Sequence, residues 1–475
     1  MAYTLSQGGG LRLFVLLLAL ALVGGLFVPA AAVTRADGDG IEVVAMSAQS
    51  QFPDGIKFSV TARSSEDIGE VRVFLKKTGQ TGRSTYRSVE FAPGRVVTGE
   101  SLLRSGSGGE YFPPGTTIDY AFEIRDKGGA VFRTQDQHFV YSDSRFDWLS
   151  LSSGLITVYY YGAYVEERAR TVLEAAEAAM TRMAPVLGIQ PTEPLRIVSY
   201  NNYRHMSAAL PFRSQAVREQ LQTQGMAFSD ERVLLVHGFD ATVKGTVSHE
   251  FTHLLVAEAA GRAGSLVPAW LNEGLAEYGN IDPTDDYDAA LRYGIFTRRL
   301  KPLWYLETFG GTPNDIIIAY GQARSVVQLL IGRYGPEKMT GLMLALQQTR
   351  DIDQALQQTY GFDQHGLDTE WRIAIGLDPL PPPAQLERQL QTQQPPTPPP
   401  APIFIPTPAP ADTPAPESSH AGSAPDAAGG KSSPGCGAPS QGQSGRAAVG
   451  LGTLLLLAAP LGLLSFRAFR RRRPG

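Results

Sequence analysis

His249-Glu250-Phe251-Thr252-His253, followed by Trp270-Leu271-Asn272-Glu273-Gly274-Leu275-Ala276-Glu277-Tyr278, is the stretch from which the rest of this chain is read. Two histidines four apart on a helix project from one face, about one turn apart, and can grip a single metal ion. The surroundings predict that helix. Residues 241–260 contain no proline, Val247, Phe251, Leu254 and Leu255 form an apolar stripe, and Gly261 is a natural stop. Imidazole nitrogens suit zinc, and a catalytic zinc takes three protein ligands with a position open for water. Glu250, beside the first histidine, is placed to act as a general base on such a water. A chance match on a surface helix is the alternative, but histidine is scarce: seven in 475 residues.

The downstream stretch strengthens the metal reading. Glu273 lies on a second expected helix, opened by Pro268, given an apolar side by Trp270, Leu271 and Leu275, and closed by Gly279. Glu277, one turn on, can orient a ligand histidine through its second ring nitrogen.

Taken together, the two motifs resemble the gluzincin metallopeptidases, the thermolysin-like and aminopeptidase N-like group, and most closely the peptidase MA-like domains of membrane-anchored bacterial proteins. The resemblance spans residues 246–278. It implies one zinc held by His249, His253 and Glu273, with Glu250 as base and with Glu277 and Asn272 behind the ligands. A GAMEN-type exopeptidase signature is absent from the sequence, which argues against a plain aminopeptidase.

Composition bounds the rest. At 475 residues the chain has room for two or three domains. A formal charge of −4 gives no footing for nucleic-acid binding, and the concentrated basic cluster sits at the extreme C-terminus. Residues 1–32 read as a signal peptide: Arg12, an apolar run over 13–28, then Pro29-Ala30-Ala31-Ala32. An uncleaved signal anchor is the other reading, and both export the chain beyond residue 32. Residues 447–466 carry no charge and are long enough to cross a bilayer as a helix. Arg467 and Arg470 to Arg473 make 467–475 a basic cytoplasmic tail. Cys436 is the one cysteine, so no disulfide forms within the chain. Its place ahead of the apolar run and arginines resembles a C-terminal sorting signal read by a processing enzyme; an inert linker thiol is the alternative.

Between the ends, residues 38–143 read as an all-β immunoglobulin- or fibronectin-like sandwich. Short alternating runs over 41–44, 56–60, 71–75, 118–124 and 138–141 are divided by turns such as Pro53-Asp54-Gly55. Residues 147–377 read as an α+β gluzincin-like metallopeptidase domain, with strands at 155–161, 195–200 and 232–237 and a helix over 165–187. The tyrosines of 159–161 read as core at strand spacing. The segment 201–230 shows no clear pattern. A mostly helical lower lobe comes next, with helices expected over 288–300, 320–334, 337–349 and 352–360. Such a lobe commonly supplies an oxyanion donor in gluzincins, for which Tyr320, expected at the start of its helix, is the candidate and Tyr293 the alternative. His237, at a strand end just before the metal helix, is open between a surface residue and a substrate contact. Residues 378–446, rich in Pro, Ser and Gly, read as a disordered stalk.

The resulting expectation is a zinc peptidase anchored in the membrane by its C-terminal helix, acting on a peptide or protein outside the cell, without nucleic-acid partners. Two rivals stand beside it: a non-catalytic surface protein with a zinc-stabilised scaffold, and a zinc hydrolase acting on a non-peptide envelope amide or ester.

Overall fold

The structure is a computed structural model, describing residues 34–35, 40–77, 84–106, 110–163, 165–211 and 224–393. The expected signal peptide, membrane helix, basic tail and Cys436 lie outside the described residues. Among those described, no helix is long and apolar enough to cross a membrane.

The N-terminal domain is one hydrogen-bonded antiparallel sheet. Its strands are β1 (Thr34–Arg35), β2 (Ile41–Gln51), β3 (Gly55–Lys77), β4 (Ser84–Ser88), β5 (Glu90–Phe91), β6 (Gly94–Arg104), β7 (Thr117–Asp126), β8 (Val131–Arg133) and β9 (Gln137–Val140). The runs expected as separate strands at 56–60 and 71–75 are the two halves of β3. Its first half pairs with β2 and β6, its second with β4 and β7. The polar stretch Arg63 to Asp67 hid that continuity. A β-bulge between Ile68 and Glu70 adds one residue, so the inward set changes from Ile56, Phe58, Val60 and Ala62 to Val71, Val73 and Leu75. One strand thereby serves both parts of the sheet around one apolar core.

The second domain has a five-stranded sheet in the order β10-β11-β12-β14-β13. A hairpin of β10 (Trp148–Ser153) and β11 (Ile156–Tyr161) opens it, and α1 (Glu166–Leu187) crosses to β12 (Leu195–Tyr200), parallel to β11. The patternless segment 201–230 contains the five-residue α2 (Tyr203–Ser207) and the edge strand β13 (Gly225–Phe228). That strand pairs antiparallel with β14 (Val233–His237), which is parallel to β12. Four residues are too few to show a period, which is why β13 escapes sequence reading.

β12 is buried along its whole length because both sheet faces are covered. On one face Ile197, Leu234 and Val236 meet α1 and the metal-motif helix α3 (Val243–Ala260). On the other, Val198, Tyr200, Val233 and Leu235 pack with Phe52 and Tyr111 of the N-terminal domain. The Tyr111 hydroxyl donates to the Ala209 carbonyl, and Lys77 Nζ lies 3.3 Å from Glu231 Oε1. Residues up to Asp378 thus include both domains in one compact unit.

The remaining helices are α4 (Ala269–Gly279), α5 (Asp286–Phe296), α6 (Pro313–Tyr334), α7 (Pro336–Thr349), α8 (Ile352–Tyr360), α9 (Gln364–Ala374) and α10 (Pro383–Gln393). α6 starts seven residues ahead of Tyr320, set by Pro313 in its first turn and a reciprocal capping box between Thr312 and Asp315. Tyr320 therefore lies well inside its helix, not at its start. α10 falls within the segment expected as an extended stalk; past Pro383, a run of Ala, Gln, Leu, Glu and Arg supports helix locally. It belongs to a second unit, Pro379–Gly450.

Candidate metal centre

Helix α3 places His249 and His253 on one face, and α4 brings Glu273 against them. Nε2 of His249 lies 3.2 Å from Nε2 of His253, and Glu273 Oε2 is 3.3 Å and 3.6 Å from those same nitrogens. The three residues are 1–3 % exposed. α4 reaches this position because Gly274 lets its backbone close on α6: a Cβ there would stand 2.5 Å from the Ala323 carbonyl oxygen.

Each imidazole is oriented from behind. His249 Nδ1 donates to Glu277 Oε1 at 2.6 Å, and His253 Nδ1 to Asn272 Oδ1 at 3.0 Å. With Nδ1 of each ring turned to its own acceptor, the two Nε2 atoms and the Glu273 oxygen converge on one point, where a cation would be shared by all three.

The fit to zinc rests on those separations. Tetrahedral ligands about 2.0–2.1 Å from a metal stand roughly 3.3 Å apart. Glu273 Oε2 is buried without a hydrogen-bond partner, as expected of an atom kept for a metal. Two imidazoles and one carboxylate form a zinc donor set with room for a further ligand. Among the described residues, this is the group of three or more metal-capable side chains whose atoms converge, all within 4.8 Å.

Glu250 is fully buried next to the set. Its Oε2 accepts the backbone N–H of Ala227 in β13 at 3.0 Å, while Oε1 has no hydrogen-bond partner. Burial pushes its carboxyl up to about 8; His249 and the Ala227 amide pull the other way, and the charge of Glu273 adds to the rise. Burial opposes the imidazolium of His249, but the carboxylates of Glu273 and Glu277 outweigh it and push His249 up to about 10. Burial, with His249 adjacent, holds His253 below the ordinary histidine range. The carboxylates of Glu273 and Glu277, buried this deeply, require positive charge beside them.

Tyr320 is 2 % exposed, with its ring centroid 6.4 Å from that of His249. Burial and the nearby carboxylates keep its phenol protonated well above the usual tyrosine range. The other two candidates each have a polar partner of their own. Tyr293 is 48 % exposed and its side chain bonds Arg299. His237 bonds Gln224 at 2.9 Å, with Asp240 4.0 Å away. Position along the chain marks both, yet their side chains turn to other partners. Sequence reading missed Ala227, a backbone donor on an unrecognised strand, and Tyr287, a buried phenol on α5 stacked against Tyr320. Neither has a motif to mark it.

The family model described as Peptidase MA superfamily matches residues 175–376, from within α1 to just past α9. No curated protein matches. Among solved structures, the chain is similar to an M1 zinc metallopeptidase mutant from Deinococcus radiodurans bound to a Tyr-Ser-Ala substrate. That likeness has 10 % identity, covers 69 % of this chain and 90 % of the other, and has a TM-score of 0.29. A two-domain M1 zinc metallopeptidase mutant bound to L-tryptophan matches at 12 % identity, 69 % and 91 % coverage and a TM-score of 0.31. A Br derivative of BhCBM56 matches at 12 % identity over 23 % of this chain and 99 % of its own, with a TM-score of 0.16.

Proposed function

We propose that this protein is a zinc-dependent peptidase of gluzincin type, with the metal held by His249, His253 and Glu273. The observation that carries the reading is the convergence of two Nε2 atoms and an otherwise unpartnered Glu273 oxygen, 3.2–3.6 Å apart, beside a buried Glu250. Bound zinc supplies a water of lowered pKa and polarises the scissile carbonyl.

The chain's own groups do the rest. Glu250 is fixed through Oε2 by the Ala227 amide, so Oε1 takes the proton of the attacking water and returns it to the leaving amine. Tyr320, kept protonated by its burial, donates to the oxygen that becomes negative as the carbonyl turns tetrahedral. Glu277 and Asn272 hold the imidazoles in the tautomer and plane that present Nε2.

Glu250→Gln separates binding from chemistry. The variant keeps zinc and loses roughly 10²–10⁴-fold in peptide cleavage. Retained turnover with bound zinc would refute this mechanism.

The same reading places the catalytic part outside the cell, held by a C-terminal membrane helix. Its support is the sequence: the apolar runs at 13–28 and 447–466, the adjoining arginines and the proline-rich stretch between. Protease added to intact cells should release activity from them. Mass spectrometry of the native C-terminal peptide shows whether the segment around Cys436 is processed.

A further inference from the structure

Tyr287 is the buried group at the centre that the proposed mechanism leaves unused. It lies on the first turn of α5 and is 8 % exposed. Its ring stacks on that of Tyr320, with centroids 5.3 Å apart and planes 20° from parallel. Phe309 meets Tyr320 edge-on at 5.1 Å, and His249 lies 6.4 Å away. Tyr320 thus has an aromatic partner on two sides and the metal-site histidine nearby.

The stack depends on a close approach built into the sequence. Gly321 follows Tyr320 on α6, and a Cβ there would stand 2.3 Å from the Tyr287 carbonyl oxygen and 3.1 Å from the Leu291 amide nitrogen. Only glycine lets the α5 backbone close on α6 at that point. One turn on from Tyr320, Arg324 donates to the Thr284 carbonyl at 3.4 Å and lies 3.6 Å from Asp288, tying down the start of α5. The carboxylates of Glu277 and Glu273 act on both phenols.

We infer that Tyr287 is a positioning residue for the peptidase reaction: its ring is the plate against which the phenol of Tyr320 is held in line with the metal-bound face of the substrate. This rests on the role proposed for Tyr320 above. The position of a donor matters steeply, since a displacement of about 1 Å costs up to roughly 10²-fold in rate. A stacked ring fixes the plane and tilt of its partner, whereas an aliphatic side chain of similar bulk fixes neither. The Tyr287 hydroxyl is not required for this, only the ring.

The test compares Tyr287→Phe, Tyr287→Leu, Tyr287→Met, Tyr320→Phe and the double variant Tyr287→Leu/Tyr320→Phe in the zinc-loaded protein. Zinc content is measured alongside. Near-UV circular dichroism of the metal-free proteins reports the Tyr–Tyr stack independently of activity. Expected are kcat per bound zinc within about threefold for Tyr287→Phe, and a roughly 10–100-fold loss with little change in KM for Tyr287→Leu. Tyr287→Met, whose unbranched chain adapts to an irregular space better than Leu, should behave as Tyr287→Leu and serves if that variant does not fold. The double variant should be no slower than Tyr320→Phe alone, and the tyrosine-band dichroism of an immobilised Tyr320 should be lost in both Leu and Met variants and kept, at altered amplitude, in Phe.

Tyr320→Phe slow with Tyr287→Leu and Tyr287→Met at full kcat per zinc would overturn the inference alone. So would additive losses in the double variant, or a Tyr287→Phe as slow as Tyr287→Leu, which would make the hydroxyl the active part. Tyr320→Phe at full kcat would overturn the donor role of Tyr320 and this inference with it. A role confined to packing would lower stability and zinc occupancy while leaving kcat per zinc untouched.

Discussion

Glu277 shows at the scale of one residue how little of this site is redundant. Its 2.6 Å bond to His249 Nδ1 fixes the ring whose other nitrogen faces Glu273 and His253. Replacing it by Gln keeps the shape and removes the charge, and zinc affinity should fall roughly 10–100-fold. Competition with a chelator of known affinity measures that, and unchanged affinity would mean Glu277 only fills space. Such residues differ in how visible they are beforehand. His249, Glu250 and His253 stand out because an i, i+4 pair is local, and Glu273 and Glu277 because a second helix repeats that spacing. Ala227 and Tyr287 are invisible in the sequence: one contributes a backbone amide, the other an ordinary tyrosine, and only tertiary contact gives either a role.

Helix α6 shows the same balance at the scale of the element. Its start is set by the Thr312–Asp315 capping box, and Arg299 lies 2.6 Å from Asp315. Hydrogen bonds from Thr312, side chain first and then backbone, with Arg299 beside it, hold the Asp315 carboxyl down to about 2 despite some opposing desolvation. A carboxyl lowered on folding stabilises the fold above its ordinary pKa, and that contribution is lost as pH falls through about 2. Amide protection in the first turn of α6, relative to the intrinsic exchange rate at each pH, should therefore fall between about pH 4 and pH 2, and Asp315→Asn should show low protection already at pH 6 with no further fall across that range. An acid response unchanged in the variant would contradict this. The same helix shows what a sequence period misses. Its apolar stripe was legible from Ala323 onward, but the two turns ahead of Tyr320 are Asn314, Asp315 and a run of three isoleucines, which has no helical period. The contact with α4 at Gly274 is equally constrained. Gly274→Val should cost about 1–3 kcal/mol by overpacking and should lower zinc occupancy as Glu273 is displaced, both readable from thermal melts with and without zinc.

For the whole molecule, the consequential feature is that the central sheet has no bare face. Its far side, with Val198, Tyr200, Val233 and Leu235, is closed by Phe52 and Tyr111 of the N-terminal domain. The alternating runs of that domain announced strands, but not what those strands and their loops would cover. Nothing local to Phe52 or Tyr111 says that they cover another sheet, because the surface they bury lies roughly 90 to 180 residues further along the chain. Residues 40–377 should therefore unfold in a single calorimetric transition, and a fragment starting at residue 147 should be insoluble for want of that cover. Two separate transitions, or a soluble and folded fragment, would contradict this coupling of the two domains.

The most direct test of the central claim is the metal content of the purified chain beside that of His249→Ala, read together with peptide cleavage before and after chelation. The account predicts one zinc per chain, cleavage lost on chelation and restored by zinc, and both metal and cleavage absent from the variant. A chain that takes up no zinc, or one that cleaves peptides equally well without it, would contradict it.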